Sequence, residues 1–276
     1  FSGDFRWPAP CTTRSMPSPA PAAPRPPTVL ERIRQAIRSR GYSPRTEEAY
    51  CTWIARFSAF HSRRPLRQLG ALEIQTFLSH LATVKNVSAS TQNQALAALL
   101  FFYIHVLGIP PEKLGEFVRA KRPQHLPVVL TPREVGAVLG KMSGVPRIMA
   151  SVLYGSGLRL MECCRLRVKD VDLERREIVV RSGKGQKDRR TMLPERLLAP
   201  VRMHLAEVRE QHEQDLARGT GVVELPDALD RKLPGASRDW IWQWVFPATR
   251  PYYHKETGVW RRHHLHETVL QRAVRD

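Results

Sequence analysis

The 276-residue chain has few cysteines and few acidic residues, and several common sequence signatures are missing from it. Its four cysteines form no CxxC pair and no disulfide-scaffold spacing, which favours a reduced, cytosolic compartment. The sequence has no run of about 18 or more apolar residues, so we expect no membrane-spanning helix and no membrane partner. It also lacks a GxxxxGK[ST] phosphate loop, so nothing supports nucleotide hydrolysis.

The shortage of acidic residues leaves the chain strongly basic. Aspartate and glutamate number 26 against 44 lysines and arginines, giving a formal net charge of +18 and a sequence pI near 10.6. Such a balance indicates a polyanionic partner, most simply nucleic acid. From charge alone, a merely soluble basic protein or one that meets anionic lipid remains an alternative. The length suffices for two domains of ordinary size.

Both ends of the sequence look irregular. Residues 1–27 are rich in proline and alanine and lack an apolar core segment, so we expect them to be disordered. They have no apolar h-region and are not a secretory signal. The sequence starts at Phe1, and Met16 is a candidate true start. Asp276 falls inside a helical pattern without a cap, so we expect a C-terminally truncated fragment.

The first half of the chain predicts a helical domain followed by a linker. Residues 28–108 carry apolar residues at the spacing of four helices, and Ser43-Pro44 is typical of a helix start. Residues 109–127 contain Pro110-Pro111 and several cationic residues, which predicts a basic interdomain linker rather than a packed element. Such a linker either follows a phosphate backbone or is simply solvated.

Residues 128–276 predict a second domain of mixed structure. Thr131-Pro132-Arg133-Glu134 fits a capping box, residues 178–180 and 191–193 read as short strands, and a long helix runs from about residue 195 to 216. The predicted fold class is therefore mainly α with a small β-sheet (α+β).

Two short motifs in this second domain indicate phosphodiester chemistry. In Gly157-Leu158-Arg159-Leu160-Met161-Glu162 the arginine follows a double-glycine break and begins a helix, and Lys184 lies in a Gly-Lys-Gly turn between the two strands. An arginine fork can hold two oxygens of one phosphate, and a mobile lysine can give up a proton. The alternative is that Arg159 only pairs with Glu162 on the helix surface and that Lys184 is only solvated.

The region from 220 to 268 is rich in aromatic residues, histidines and arginines. Trp240, Trp242 and Trp244 alternate with apolar residues and predict a strand, for which core packing is favoured over stacking on unpaired bases. Arg261-Arg262-His263-His264 is expected to begin a helix and to form a patch that faces a polyanion, with imidazoles able to contact extruded bases. The histidine spacing matches no standard zinc site, so we expect no metal and no cofactor.

In this order and separation, the two motifs resemble those of the tyrosine site-specific recombinases. The arginine motif is similar to the family's first arginine box, and Lys184 to its catalytic lysine on a β-hairpin. Residues 28–108 are similar to the DNA-clamping core-binding domain, which makes 128–276 an incomplete catalytic domain. The segments Leu225–Leu229, Trp240–Ala248 and Arg261–His264, with Lys232, resemble an insertion of integron integrases that recognises bases extruded from a folded single-stranded cassette site.

This resemblance implies a function, partners and roles for particular residues. The function is integration and excision of gene cassettes through a phosphotyrosyl-DNA intermediate, without a cofactor, by a homo-tetramer in the bacterial cytoplasm at the nucleoid. The DNA partners are a double-stranded integron site and the folded cassette site. Arg159 would hold the non-bridging phosphate oxygens, Lys184 would protonate the departing 5′-oxygen, and Glu162 would orient. The candidate DNA contacts are Lys187, Arg189, Arg261, Arg262, His263 and His264.

The sequence also departs from the family pattern. The family's second box, of His-x-Leu-Arg-His type, a further His or Trp, and the nucleophilic tyrosine follow the insertion, and none is found among the 276 residues. Tyr252 and Tyr253 precede the expected position of that box, so neither is predicted to be the nucleophile. We therefore predict that the chain as given does not cleave DNA. The alternative function is a non-catalytic DNA-binding remnant.

Overall fold

The computed structural model describes residues 27–115, 117–121, 126, 128–181, 183, 187–226 and 229–276, which fall into two compact units divided after Leu126. Most of the predicted disordered segment, 1–27, lies outside the described residues. Within the described ranges, no helix is both long and apolar enough to cross a membrane. The predicted fold class, mainly α with small sheets, is confirmed.

The first unit contains the four predicted helices. They are α1 Val29–Arg38, α2 Pro44–Phe60, α3 Ala71–Thr83 and α4 Ala89–Phe101, the last continuing as a π-helical turn over Phe102–Val106. Hydroxyl caps start three of them, because the side chains of Thr28, Ser43 and Ser88 each accept a hydrogen bond from the backbone N–H three residues later. Local sequence therefore fixes where these helices begin.

An aromatic core holds the first unit together. Phe57 of α2 lies edge-on to Phe77 of α3, with ring centroids 5.5 Å apart, and to Tyr103 at 6.4 Å. The buried Tyr103 hydroxyl donates to the carbonyl of Leu66 at 3.1 Å, so the one polar atom of that side chain is satisfied. Burial raises the pKa of this hydroxyl, which stays protonated.

The segment after α4 packs onto the first unit, contrary to the prediction of a linker over 109–127. Pro111–Leu114 forms the short helix α5, and Leu114 is only 2% exposed within the aromatic core. Further on, the side-chain amide of Asn93 donates to the carbonyl of Ala120 at 2.9 Å and accepts from its N–H at 3.0 Å. The linker prediction is wrong here because a few apolar residues and one amide suffice to dock a proline-rich segment.

The second unit contains a small antiparallel sheet and several helices. The helices are α6 Pro132–Lys141, α7 Gly144–Ser156, α8 Leu160–Cys164 and α9 Leu198–Ala217. The sheet has the order β1 Val171–Asp172, β2 Glu177–Val180 and β3 Arg189–Met192. The capping box of Thr131 and Glu134, the two predicted strands and the long helix are all confirmed. Val180 pairs with Arg189, so β2 and β3 form the stem of a hairpin.

The aromatic-rich segment, residues 220–268, differs from its prediction. It holds a short helix α10 Leu229–Lys232 and a hairpin of β4 Tyr252–His254 and β5 Val259–Arg261, and it precedes α11 Glu267–Arg275. The predicted tryptophan strand is wrong, because Trp240–Trp242 forms a 3₁₀ turn closed by the bond from the Trp242 N–H to the Asp239 carbonyl. The predicted helix start at Arg261 is also wrong, since Arg261 ends β5 and His266 caps α11.

Candidate active site

Two glycines bring Arg159 to the start of α8, as the sequence predicted. Gly157 ends α7 with a positive φ of 62°, which a residue with a side chain adopts only with strain. Gly155 lies against Pro194, where an added Cβ would come within 2.6 Å of the proline Cγ. Arg159 is the N-cap of α8, and its side chain is 57% exposed. Gly157 is therefore required by the backbone conformation, and Gly155 by the close packing against Pro194.

Glu162 holds Arg159 from two directions. Its carboxylate accepts the Arg159 backbone N–H at 2.8 Å and the Arg159 Nη1 at 2.7 Å. The same carboxylate accepts both terminal nitrogens of Arg189 on β3, at 2.9 and 2.7 Å. The side chain of Glu162 is only 9% exposed. One carboxylate thus connects the start of α8 with the hairpin stem, in a group that we call the Glu162 clamp (Arg159, Glu162 and Arg189).

The clamp keeps Glu162 ionised. The Arg189 hydrogen bonds, with smaller help from Arg159, lower the pKa of the Glu162 carboxyl to about 2. Reciprocally, Glu162 raises the pKa of Arg189. A carboxylate this acidic has no proton to give near neutral pH, so its geometry and charge support the orienting role predicted for it.

Lys184, which lies between β2 and β3 in the sequence, is outside the described residues. Its flanks are described: the Gly183 N–H donates to the Lys187 carbonyl at 3.1 Å, and the Lys187 side chain is exposed. An added Cβ on Gly183 would come within 3.4 Å of Glu162 Oε1 and Arg189 Nη1. Gly183, the residue before Lys184, therefore lies directly against the Glu162 clamp.

A cleft of about 400 Å³ opens beside the clamp. Its charged lining residues are Arg159, Glu162, Arg165, Asp170 and Arg181. Asp170 is buried and accepts from Arg181 Nε at 2.7 Å. Sequence reasoning missed Arg165 and Arg181, since no motif marks them, although the six-residue offset of Arg165 from Arg159 across the short α8 is visible in the sequence.

Family models match almost all of the described chain. One described as "Phage integrase, N-terminal SAM-like domain" matches residues 29–112, and one described as "Phage integrase family" matches residues 129–275. The chain belongs to the phage integrase family of tyrosine site-specific recombinases. Enzymes of this family break and rejoin DNA strands.

The proteins to which this chain is similar support the family assignment. An "Integrase/recombinase" of Escherichia coli is 46% identical over 247 residues, which are 90% of this chain and 73% of the relative. The "Tyrosine recombinase XerA" of Thermococcus kodakarensis is 33% identical over 190 residues, covering 67% of this chain and 64% of that protein. A solved lambda integrase tetramer bound to a Holliday junction is 16% identical with a TM-score of 0.50, covers 64% of this chain and 54% of its own, and supports the fold alone.

In this recombinase, the predicted DNA-facing patch of the aromatic-rich segment is partly internal. Arg262 is 7% exposed, and its Nε and Nη2 donate to Asp215 of α9 at 2.6 and 2.9 Å. His264 is 5% exposed, with Nδ1 2.9 Å from the Leu265 carbonyl oxygen. Burial lowers the pKa of His264 to about 4, so it is neutral at physiological pH. The prediction that these two residues face DNA is wrong, because their polar groups are used inside the protein.

The remaining predicted contacts differ in exposure. His263 is exposed, with its ring centroid 4.0 Å from that of His264, and Arg261 is half-buried at the end of β5. Arg189 is committed to Glu162 and also donates to the Gly157 carbonyl at 3.3 Å, so its terminal nitrogens are engaged by protein acceptors. The structure therefore shows Arg189 as a member of the clamp, and Lys187, Arg189, Arg261 and His263 stay predicted DNA contacts.

A buried arginine fastens the aromatic-rich segment to the residues that follow α8. Arg167 lies 3.7 Å from the ring centroid of Trp244 and donates to the carbonyls of Trp242 and Glu224 at 2.6 and 2.7 Å. Burial lowers the pKa of Arg167 to about 10. The backbones on either side also pair, with Val168 N–H donating to the Gln243 carbonyl at 3.0 Å. The aromatic-rich segment is therefore attached to the protein at Arg167 and Val168, a few residues after Arg159 in the sequence.

Proposed function

We propose that this recombinase is an integron integrase that integrates and excises gene cassettes. The observation that carries the catalytic part is the Glu162 clamp: Arg159 is held by its backbone and one guanidinium nitrogen, while its half-exposed side chain lines an open cleft. A pre-oriented guanidinium is suited to a phosphate whose negative charge grows in the transition state. The aromatic-rich segment supports the assignment to the integron type.

The proposed chemistry is phosphoryl transfer without a cofactor. Arg159 binds the non-bridging oxygens of the scissile phosphate, and Glu162 positions Arg159. Lys184, the residue after Gly183, protonates the departing 5′-oxygen as a general acid. The covalent intermediate is a 3′-phosphotyrosyl link, which the 5′-hydroxyl of a second strand then attacks, restoring the phosphodiester. No tyrosine of the 276 residues is assigned as the nucleophile.

The proposed partners are a double-stranded integron site and a folded single-stranded cassette site. The net charge of +18 supports a DNA partner. We extend to this chain the tetrameric assembly on DNA that the lambda integrase structure names for its own protein. Recombination of bacterial DNA would place the enzyme at the nucleoid.

Covalent trapping tests whether this chain binds DNA without cleaving it. The 276-residue chain is incubated with a labelled, nicked integron-site duplex and analysed on native and denaturing gels. We expect retention on the native gel and no covalent adduct on the denaturing gel, because neither Tyr252 nor Tyr253 is placed as the nucleophile. A covalent adduct would show that this chain cleaves DNA, and failure to retain DNA would sink the proposed function.

A comparison of two DNA forms tests the integron assignment. His263→Ala should weaken binding to a folded single-stranded cassette site more than to a plain duplex, because an exposed imidazole can contact unpaired bases. His105→Ala, an exposed histidine of the first unit, serves as the matched control and should change the two affinities equally. If His263→Ala weakened binding to both DNA forms equally, His263 would be only a general phosphate contact.

A further inference from the structure

The cleft beside the Glu162 clamp contains more positive charge than one phosphate contact requires. Its lining includes two carboxylates, and each is matched by an arginine other than Arg159: Glu162 by Arg189 and Asp170 by Arg181. Arg159 and Arg165 remain as positive charges that the lining carboxylates do not fully balance. A cleft of this charge attracts an anion with more than one charged group.

Arg165 is placed to make such a contact. It is the C-cap of α8, where its backbone N–H donates to the Met161 carbonyl at 3.0 Å, and its side chain is exposed. The neighbouring Leu166 is buried in the core, which fixes the backbone from which Arg165 projects.

The short helix between the two arginines sets their separation. Six residues at the helical rise of about 1.5 Å per residue place the backbones of Arg159 and Arg165 roughly 9 Å apart along the α8 axis. Consecutive phosphates of one DNA strand rise by about 3.4 Å along the duplex axis, so one strand presents several charged groups within that span. Two arginine forks at the ends of one small helix suit two phosphates of one strand.

We propose that Arg165 is a DNA-binding residue that contacts a backbone phosphate adjacent to the one held by Arg159. This inference rests on the proposed function, because it requires that the cleft receives DNA. The contact carries no sequence information and fixes the register of the strand in the cleft, as phosphate contacts do. Arg159 then meets its own phosphate in one position instead of several.

The slope of binding affinity against salt counts phosphate contacts and provides the test. The affinity of the 276-residue chain for a labelled DNA duplex is measured over a series of salt concentrations, for the unchanged chain and for Arg165→Gln. Each lost phosphate contact should reduce the slope of log K against log[salt] by about 0.9. Arg165→Lys keeps the positive charge and should keep most of the slope.

Double replacement shows whether the two arginines share a phosphate. Arg159→Gln alone should reduce the slope by about 0.9, and the double variant by about twice that if the contacts are separate. A double variant that loses no more than either single one would show a shared phosphate and overturn the inference.

Arg209→Gln is the control, since this exposed arginine of α9 already pairs with Glu213 at 3.4 Å. An equal loss of slope in that control would mean that net charge, not contact, is measured, and would also overturn it.

The two hypotheses fail in different ways. If the unchanged chain binds DNA with no salt dependence, the proposed function fails and the inference fails with it. If the unchanged chain is salt-sensitive but Arg165→Gln keeps the full slope, only the role of Arg165 is lost. Thermal unfolding of each variant accompanies the titrations, and Arg165→Gln should unfold like the unchanged chain because the Arg165 side chain is exposed.

Discussion

At the scale of single residues, Glu162 is the residue on which the geometry of the site depends. It accepts four hydrogen bonds, one from a backbone N–H and three from two guanidinium groups. Its pairing with Arg159 was an alternative that the sequence left open, because an i, i+3 spacing on a helix is local. The sequence did not predict Arg189, since that contact depends on how the hairpin packs against α8. The sequence therefore identified the pair but not the clamp.

Acid titration should expose the charge of Glu162. Because its pKa is lowered from an ordinary 4.5 to about 2, its ionised form contributes stability above pH 4.5, and this contribution is lost as the pH falls toward 2. The shift corresponds to about 3 kcal/mol at most. Glu162→Gln should therefore be less stable than the unchanged chain near neutral pH, and the two stabilities should converge near pH 2. Urea unfolding at several pH values measures this, and a gap independent of pH would contradict it.

Replacement of Arg189 tests the other side of the clamp. Arg189→Gln leaves a nearly buried carboxylate with fewer donors and should cost about 1–3 kcal/mol of unfolding free energy. Arg190→Gln is the matched control, because the next side chain on the same strand is exposed and pairs with Glu177 at 3.4 Å. That change should stay within about 0.5 kcal/mol. Equal effects of the two variants on urea unfolding would show that Arg189 is only a surface cation.

At the scale of elements, α5 provides a test of the corrected domain boundary. Leu114→Ala should cost about 2–4 kcal/mol of unfolding free energy, since its side chain lies in the aromatic core of the first unit. Val118→Ala changes an exposed side chain of the same segment and should stay within about 0.5 kcal/mol. If both variants unfold alike, the segment is a linker after all. Urea unfolding of the first unit measures the difference.

The elements also show which sequence signals were sufficient. Helix starts at Ser43 and Thr131 were predicted correctly, because capping groups and proline act within a few residues. The tryptophan strand was predicted wrongly, because alternation describes burial and cannot distinguish a strand from a 3₁₀ turn beside a partner such as Arg167. The prediction that Arg262 faces DNA was wrong because its partner Asp215 lies 47 residues earlier, where no local pattern indicates the contact. Contacts between distant segments decided every one of these errors.

At the scale of the whole molecule, each unit has its own core. The core of the first unit is formed by residues up to Leu114, and the second unit has a separate core around Met149, Ile178 and Phe246. The two-unit organisation expected from length is therefore present, and the division after Leu126 falls inside the segment 109–127 that was predicted to join the two domains.

The first unit should fold when expressed alone. A chain of residues 27–126 contains the helices α1 to α5 and their common core. We expect a helical circular dichroism spectrum and a single cooperative urea transition. Phe57→Ala, which removes a ring from the middle of this core, should lower the midpoint of that transition. A broad, non-cooperative transition of the unchanged fragment would show that the unit depends on the rest of the chain.

The buried contacts of the aromatic-rich segment determine which of its residues can be substituted without loss of structure. Its inner contacts run to α9 and to Arg167 and are buried, whereas Tyr253 and Trp260 on the β4–β5 hairpin are about half exposed and touch each other. Substitutions at the hairpin therefore leave the anchors intact. Mutation and selection, in nature or in the laboratory, can alter the outer surface of this segment without unseating it, which makes the hairpin a tolerant site for evolving new preferences.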